Sequence, residues 1–145
     1  MENGVVIPAN YGKLTSLALD PIEKKPLSYF HPGTYILSAG SYGCNMACPF
    51  CQNYEIAQEV DASSHTSAVS PEELVDKALS LRSQGNIGIA FTYNEPLVGY
   101  EYVRDTAKLA RENNLEAVVV TNGQIEEDPL RELLPFVTAW NIDLK

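Results

Sequence analysis

The sequence predicts an α/β fold in which parallel strands alternate with helices. Short apolar runs rich in valine and isoleucine recur between segments of helical periodicity, an alternation typical of βαβ units on a parallel sheet. Polar turns follow these runs, at the position where parallel α/β proteins carry their active sites. We therefore expect four strands, three helices and one functional edge.

The chain divides into two predicted parts. Residues 1–30 mix short apolar runs with glycine and several prolines, which predicts an irregular or hairpin-like N-terminal segment. Residues 31–145 carry the strand and helix patterns and form the predicted core domain. With 145 residues, 45% of them hydrophobic, the chain is long enough for one core and too short for two ordinary domains.

The first core strand is predicted at Tyr35–Ser38, and it leads directly into a loop that contains every cysteine of the chain. Residues 59–68 are polar and serine-rich, which predicts a surface connection. Strands at 87–92, 117–120 and 139–144 follow later in the chain.

Helix boundaries are marked by capping residues. Ser70 can cap a helix that runs to about Gln84, Pro71 suits its first turn, and Glu73 completes a capping box. Gly85 is well placed to end this helix. Further helices are predicted at 99–113 and from about 128, which completes the alternation.

The cysteine loop is the strongest chemical signal. Cys44, Cys48 and Cys51 fall within eight positions, and the sequence has no fourth cysteine. An iron–sulfur cube is ordinarily held by four cysteines, so three would leave one iron open to a small molecule. Two alternatives remain: a zinc site completed by His31 or His65, and thiols that are only structural.

The carboxyl ends of the predicted strands supply other candidates. If the strands lie parallel and adjacent, the cysteine loop, Glu95, Thr121–Asn122, Asp143 and Lys145 meet at one edge. A carboxylate such as Glu95 suits an ammonium group, and Lys145 suits a carboxylate.

The pattern Cys-x-x-x-Cys-x-x-Cys, with Phe50 before the last cysteine, resembles the signature of radical S-adenosylmethionine (radical SAM) enzymes. The resemblance implies an incomplete parallel (β/α) barrel of the radical SAM type, with about four strand–helix units of an expected six. It also implies that Cys44, Cys48 and Cys51 bind a [4Fe-4S] cluster whose open iron binds S-adenosylmethionine. Reductive cleavage of that cofactor gives a 5′-deoxyadenosyl radical, which abstracts hydrogen from a substrate.

Within this family the chain resembles the activating enzymes typified by pyruvate formate-lyase activating enzyme, which are oxidoreductases. Tyr93-Asn94-Glu95-Pro96 resembles their Gly-Gly-Glu-Pro segment only in part, because the glycines are replaced. Thr121-Asn122-Gly123 and Asp143-Leu144-Lys145 match, whereas Val120 stands where the activases have an acid. The resemblance implies cofactor contacts by Phe50, Asn94, Glu95, Thr121, Asn122, Asp143 and Lys145.

Other segments narrow the subgroup. Lys25-Pro26-Leu27, residues 30–33 and residues 48–56 resemble the AmmeMemoRadiSam system radical SAM enzymes. The resemblance implies an electron donor such as flavodoxin or ferredoxin, and a substrate protein or small molecule that the residues do not identify. Because the chain ends directly after the fourth predicted strand, we expect a C-terminally truncated core and a fragment of a longer protein.

Charge and hydropathy limit the possible partners. A net charge of −9 without clustered lysine and arginine argues against nucleic-acid binding. The apolar runs are too short to span a membrane, and no basic targeting segment begins the sequence, so we expect a cytoplasmic protein. Two other functions remain open: an iron–sulfur electron-transfer or carrier protein, and a zinc-stabilised binding module.

Overall fold

The computed structural model describes residues 8–27, 29–58 and 65–145. Residues 1–7 and 28 of the predicted N-terminal segment, and residues 59–64 of the predicted surface connection, lie outside the described residues. In the part of the chain that is described, no helix is long and apolar enough to cross a membrane.

Strands and α-helices alternate through the core. The strands are β1 (Lys13–Leu14), β2 (Ser16–Pro21), β3 (Tyr35–Gly40), β4 (Ser67–Ala68), β5 (Asn86–Phe91), β6 (Glu116–Thr121) and β7 (Ala139–Ile142). The α-helices are α1 (Tyr54–Ala57), α2 (Pro71–Ser80), α3 (Tyr100–Glu112) and α4 (Glu127–Leu133). Short 3₁₀ turns occupy Ile22–Lys24, Arg82–Gln84 and Pro96–Gly99.

The main sheet has the strand order β2-β3-β5-β6-β7. Strands β3, β5, β6 and β7 are parallel, which confirms the predicted α/β fold with its parallel sheet. The two-residue strands β1 and β4 pair separately, which places part of the predicted surface connection against the N-terminal segment.

The sheet has one strand more than the sequence predicted. Strand β2 pairs antiparallel with β3 along its whole length, from Ser16 opposite Gly40 to Pro21 opposite Tyr35. Part of the N-terminal segment is therefore regular structure that covers the edge of the parallel sheet. An uncovered edge would leave the backbone groups of β3 unpaired, whereas the edge position and strand end tolerate Pro21.

The two faces of the sheet are packed by different parts of the chain. One face packs against α2 and α3 through the apolar side chains of Leu37, Ala39, Ile89, Phe91, Ala117 and Val119. The alternate residues Ile36, Ala90 and Val118 form a second buried cluster with Ile22. Since successive side chains of a strand point to opposite faces, these residues lie on the face opposite to α2 and α3. The functional site continues from this second face.

The start of α2 matches its prediction closely. Ser70 Oγ accepts a hydrogen bond from Glu73 N at 3.2 Å, and Glu73 Oε2 accepts one from Ser70 N at 2.8 Å, which completes the capping box. Pro71 occupies the first turn. Gly85 has a φ of 87°, a left-handed conformation that favours glycine and ends the segment.

We expect Ser70→Ala to lower the free energy of unfolding by about 1 kcal/mol, because it removes the side-chain acceptor of the N-cap. Urea denaturation followed by circular dichroism measures this loss. Ser83→Ala, at an exposed position, is the control and should change the free energy by less than about 0.5 kcal/mol. Equal losses in the two variants would contradict the capping role.

Candidate functional site

A cavity of about 560 Å³ opens at the carboxyl edge of the parallel strands. Thr92, Val120 and Asn141 line it, and each lies two residues beyond a side chain of the second sheet face. The cavity is therefore a continuation of that face past the ends of β5, β6 and β7. Val120, which replaces an acid of the activases, is among its lining residues.

All ten site residues proposed from the sequence line this one cavity. They are Cys44, Cys48, Cys51, Phe50, Asn94, Glu95, Thr121, Asn122, Asp143 and Lys145. Residues that are up to 101 positions apart thus share one space. Their roles as ligands and cofactor contacts remain predictions.

The loop after β3 places the three cysteines, all of them partly exposed. A turn in which Cys51 N donates to Cys48 O at 3.1 Å shapes the loop, and Gly43 N donates to Ile56 O at 2.9 Å. Burial raises the pKa of the Cys44 thiol, although a hydrogen bond from Met46 N lowers it. The neighbouring Glu95 and the other two cysteines raise the pKa of Cys44 further.

The three cysteines suit an iron–sulfur cluster by residue type, although their side chains are not arranged around a common metal position. Among the described residues, no three histidine, cysteine, aspartate or glutamate side chains are arranged so that they could hold a metal ion. The three thiols nevertheless line one cavity, and neither His31 nor His65 is among the described residues that line it. His31 instead lies 3.6 Å from the Glu116 carboxylate. Three thiols without a histidine suit an iron–sulfur cluster with one open iron better than a four-ligand zinc site.

Glu95 is a buried carboxylate beside the cysteine loop, with 4% of its surface exposed. Its Oε1 accepts hydrogen bonds from the Thr121 hydroxyl at 2.7 Å and from Leu97 N at 3.0 Å. Its Oε2 accepts one from Asn122 N at 2.8 Å. These bonds fix the carboxylate between the ends of β5 and β6 and leave acceptor capacity on Oε2, since a carboxylate oxygen has two lone-pair sites.

Asn94 holds the start of the cysteine loop. Its side-chain oxygen accepts from Ser41 N at 3.0 Å, and its amide donates to the carbonyl oxygens of Tyr42 and Gly43 at 3.2 and 3.1 Å. The amide lies 3.2 Å from Glu95 O as well. In this arrangement Asn94 positions the loop backbone, and its contact with the cofactor remains a prediction.

A second link to the cysteine loop involves a residue that the sequence did not single out. Asn122 Nδ2 donates to Asn45 Oδ1 at 2.7 Å, and Asn45 Nδ2 donates to Gln124 Oε1 at 3.3 Å. Asn45 is the residue after the first cysteine. Asn45 makes these hydrogen bonds because the turn after β6 lies against the cysteine loop. No local sequence pattern indicates that contact.

The remaining predicted residues lie at the rim of the cavity. Phe50 is 66% exposed, which leaves its ring available for contact with a ligand. Lys145 Nζ lies 3.1 Å from Asp143 Oδ2, so these two side chains form an ion pair with each other. The sequence predicted that Lys145 binds a carboxylate of a ligand. In the structure its positive charge is partly neutralised by the Asp143 carboxylate.

Asp20 anchors a group of side chains that sequence reasoning missed. Its carboxylate accepts hydrogen bonds from Lys24 Nζ and Lys25 Nζ, both at 3.0 Å, from Ser38 Oγ at 2.9 Å, and from Tyr93 Oη at 2.8 Å. Asp20, Lys24, Lys25 and Tyr93 all line the same cavity as the cysteines. The only sequence signal was the pair of lysines after an aspartate, which does not distinguish this cluster from a solvated surface.

Burial and hydrogen bonding both shift the pKa values of the Asp20 cluster. Burial would raise the pKa of Asp20, but its four donors outweigh this and hold the pKa well below its usual range. Burial lowers the pKa of Lys25, against the opposing effect of Asp20. Burial and the bond to Asp20 raise the pKa of Tyr93 to about 12, which keeps its hydroxyl a donor at neutral pH.

Tyr93 takes a backbone conformation that is unusual for its residue type. Its φ is 75°, in the left-handed region that favours glycine. The ring fits beside Gly40, where an added Cβ would lie only 2.7 Å from a ring carbon. Strained residues of this kind persist where the surrounding contacts fix them, and here the bond to Asp20 does so.

Comparison with known proteins identifies the family. The model of the Radical SAM superfamily matches residues 39–145 of the chain. The chain therefore belongs to the radical SAM superfamily, which implies a [4Fe-4S] cluster and S-adenosylmethionine as cofactors. This membership confirms the resemblance carried by the cysteine motif.

Two proteins of Methanocaldococcus jannaschii are similar in sequence. The uncharacterised protein MJ0808 is 46% identical over 143 residues, which cover 99% of this chain and 41% of that protein. The putative glycyl-radical enzyme activating enzyme MJ1227 is 30% identical over 108 residues, which cover 72% of this chain and 40% of that protein. The chain thus spans about two fifths of the length of these curated relatives.

The fold is also similar to that of a protein of known structure. The crystal structure of QueE from Escherichia coli superposes with a TM-score of 0.55, over 81% of this chain and 55% of QueE, at 16% identity. This likeness supports the α/β fold with a mostly parallel sheet.

We expect Asp20→Asn to lower the free energy of unfolding at pH 7 by about 3 to 5 kcal/mol, because it leaves the buried Lys25 ammonium without its counter-charge. The pKa of Asp20 is depressed in the folded state. Its contribution is therefore present above the unfolded-state value of about 3.9 and is lost as the pH falls below that value.

Urea denaturation of both proteins between pH 3 and pH 7 tests this dependence, with Asp76→Asn on the exposed side of α2 as control. The difference between wild type and Asp20→Asn should shrink at the acid end, whereas Asp76→Asn should stay close to wild type throughout. A difference that is constant with pH would contradict the assignment.

Proposed function

We propose that this chain is the core of a radical SAM enzyme of the activating type. The observation that carries the proposal is the single cavity in which three thiols meet Glu95 and the ends of β5, β6 and β7. Neither electron transfer nor a structural zinc site needs a buried carboxylate beside the metal. A cofactor with an ammonium group does.

Cys44, Cys48 and Cys51 would hold the cluster through their thiolates. When bound, the cluster and S-adenosylmethionine supply a 5′-deoxyadenosyl radical that abstracts hydrogen from a substrate. The bonds from Asn94 fix where the cysteine loop begins.

Glu95 would bind the ammonium group of the methionine part of the cofactor. Its Oε2 carries one hydrogen bond from the described residues and can accept another. Thr121 and Leu97 occupy Oε1, so the carboxylate is held in one orientation. A carboxylate that is already oriented binds an ammonium with little further loss of side-chain entropy.

The rim residues would bind the rest of the cofactor. Phe50 offers an exposed aromatic face for the adenine, and Lys145 with Asp143 offers a charged pair near the end of β7. Thr121 and Asn122 belong to the same wall, where they orient Glu95 and line the cavity.

The finer assignment concerns the partner. The similarity to MJ1227, named as a putative glycyl-radical enzyme activating enzyme, supports an activating role in which hydrogen is removed from a partner enzyme. The proposal includes a small electron donor such as flavodoxin or ferredoxin. It also includes a cytoplasmic location, where thiols stay reduced.

Anaerobic reconstitution with iron and sulfide, followed by electron paramagnetic resonance of the dithionite-reduced protein, tests the proposal. We expect a reduced four-iron signal that changes when S-adenosylmethionine is added, because the cofactor binds the open iron. A signal indifferent to the cofactor would favour an electron-transfer or carrier protein. Zinc in place of iron would favour a zinc-stabilised module.

Two variants of the cysteine loop control this experiment. Cys48→Ala should abolish cluster assembly, because two thiols remain. Ala47→Ser, at an exposed position in the same loop, should assemble the cluster as wild type does. Normal iron content in Cys48→Ala would overturn the ligand assignment.

We expect Glu95→Gln to leave the iron content intact and to weaken S-adenosylmethionine binding about tenfold or more, because a charge-assisted hydrogen bond is worth about 1.5 to 3 kcal/mol. Equilibrium dialysis of the reconstituted protein measures the affinity. Glu112→Gln, exposed at the end of α3, should bind the cofactor normally. Unaltered affinity in Glu95→Gln would count against this placement of the cofactor.

A further inference from the structure

The Asp20 cluster carries an excess of positive charge into the cavity. Two lysine ammonium groups, Lys24 and Lys25, share the single Asp20 carboxylate. The chain as a whole has a formal charge of −9, so this local excess opposes the overall field of the protein. It lies in the wall of the same cavity as the cysteines.

Most of the hydrogen-bonding capacity left in the Asp20 cluster consists of donors. Asp20 already accepts from four groups, three of them on Oδ2, and the two ammonium groups beside it repel a cationic ligand. Each lysine has three N–H donors and gives one of them to Asp20. A ligand that completes this cluster must therefore present acceptor oxygens, as a carboxylate or phosphate does.

The two lysines differ in their access to a ligand. The side chain of Lys24 is 65% exposed, whereas that of Lys25 is 4% exposed. Lys24 can thus contact a bound anion directly, and Lys25 adds positive charge from behind. Because the two ammonium groups repel each other, an anion between them and the cavity also relieves that repulsion.

Neighbouring residues hold the cluster in place. The ring of Tyr93 lies beneath Lys25 Nζ, 5.1 Å from it, and the Tyr93 hydroxyl donates to Asp20. Asn141 Nδ2 donates to the carbonyl oxygen of Lys25 at 3.1 Å, which ties this segment to β7. Binding an anion here requires little rearrangement, as in other preorganised sites.

We propose that Lys24, supported by Lys25 and Asp20, binds a carboxylate or phosphate group of the substrate in the cavity that also receives S-adenosylmethionine. The inference deepens the proposed function and rests on it, because only that function makes the bound anion part of a substrate. The anion site itself depends only on the contacts of Asp20, Lys24, Lys25 and Tyr93.

Thermal unfolding in the presence of inorganic phosphate or acetate tests the anion site, with sodium chloride at the same ionic strength as reference. An anion that binds the folded state raises the melting temperature as its concentration increases. We expect phosphate or acetate to stabilise wild type beyond chloride, and Lys24→Gln to need about tenfold more anion for the same shift. The anion with the larger effect indicates whether the substrate group is a phosphate or a carboxylate.

Lys77→Gln is the matched control, since Lys77 is an exposed lysine on α2 that does not line the cavity. It should respond to both anions as wild type does. Equal responses of Lys24→Gln and Lys77→Gln, or no stabilisation of wild type beyond chloride, would overturn the proposal.

A cofactor arm distinguishes the two sources of a carboxylate. Equilibrium dialysis of reconstituted Lys24→Gln should give a dissociation constant for S-adenosylmethionine within about twofold of the wild-type value. A tenfold loss would mean that the Asp20 cluster binds the carboxylate of the cofactor, and it would overturn the assignment to a substrate. If wild type shows no spectroscopic response to S-adenosylmethionine but keeps a Lys24-dependent response to phosphate, the proposed function fails while the anion site stands.

Discussion

The rest of the site depends on the hydrogen bonds to the buried carboxylate of Glu95. A carboxylate that is removed from water is costly unless hydrogen bonds replace its hydration. Glu95 obtains them from the hydroxyl of Thr121 and the backbone of Asn122 at the end of β6, and from Leu97 in the turn after β5. Because the bonds from Thr121 and Asn122 join the end of β6 to the segment that follows β5, they hold the ends of these two strands at a fixed separation.

Three consecutive residues after β5 connect to three different parts of the sheet. Tyr93 donates to Asp20 on β2, Asn94 holds the backbone that follows β3, and Glu95 binds the end of β6. Successive side chains can diverge in this way because the backbone turns sharply at Tyr93, where φ is positive. The strained conformation of Tyr93 therefore has a structural role, because it directs the side chains of Tyr93, Asn94 and Glu95 towards different strands.

Much of the architecture follows from short-range patterns. The capping box at Ser70 and the glycine at Gly85 depend on residues within one or two turns, so local chemistry decides them. The apolar runs of β5 and β6 indicate strands that are buried on both faces, and their burial agrees. Strand β2 was not predicted because residues 16–21 have no strong pattern of their own. They form a strand because they pair with the exposed edge of β3.

The sequence by itself determined the family, because the resemblance depends on the spacing of Cys44, Cys48 and Cys51 within one loop. It also placed the ends of the four parallel strands to within two residues of those observed, because those positions follow from the order of apolar runs. Only the tertiary structure decided that Asp20 and Lys24 share the cavity with these cysteines, and that Asn94 holds the loop backbone. The reason is physical: such contacts join segments that are distant in the chain, and their hydrogen-bond partners exist only once the sheet has brought the strand ends together.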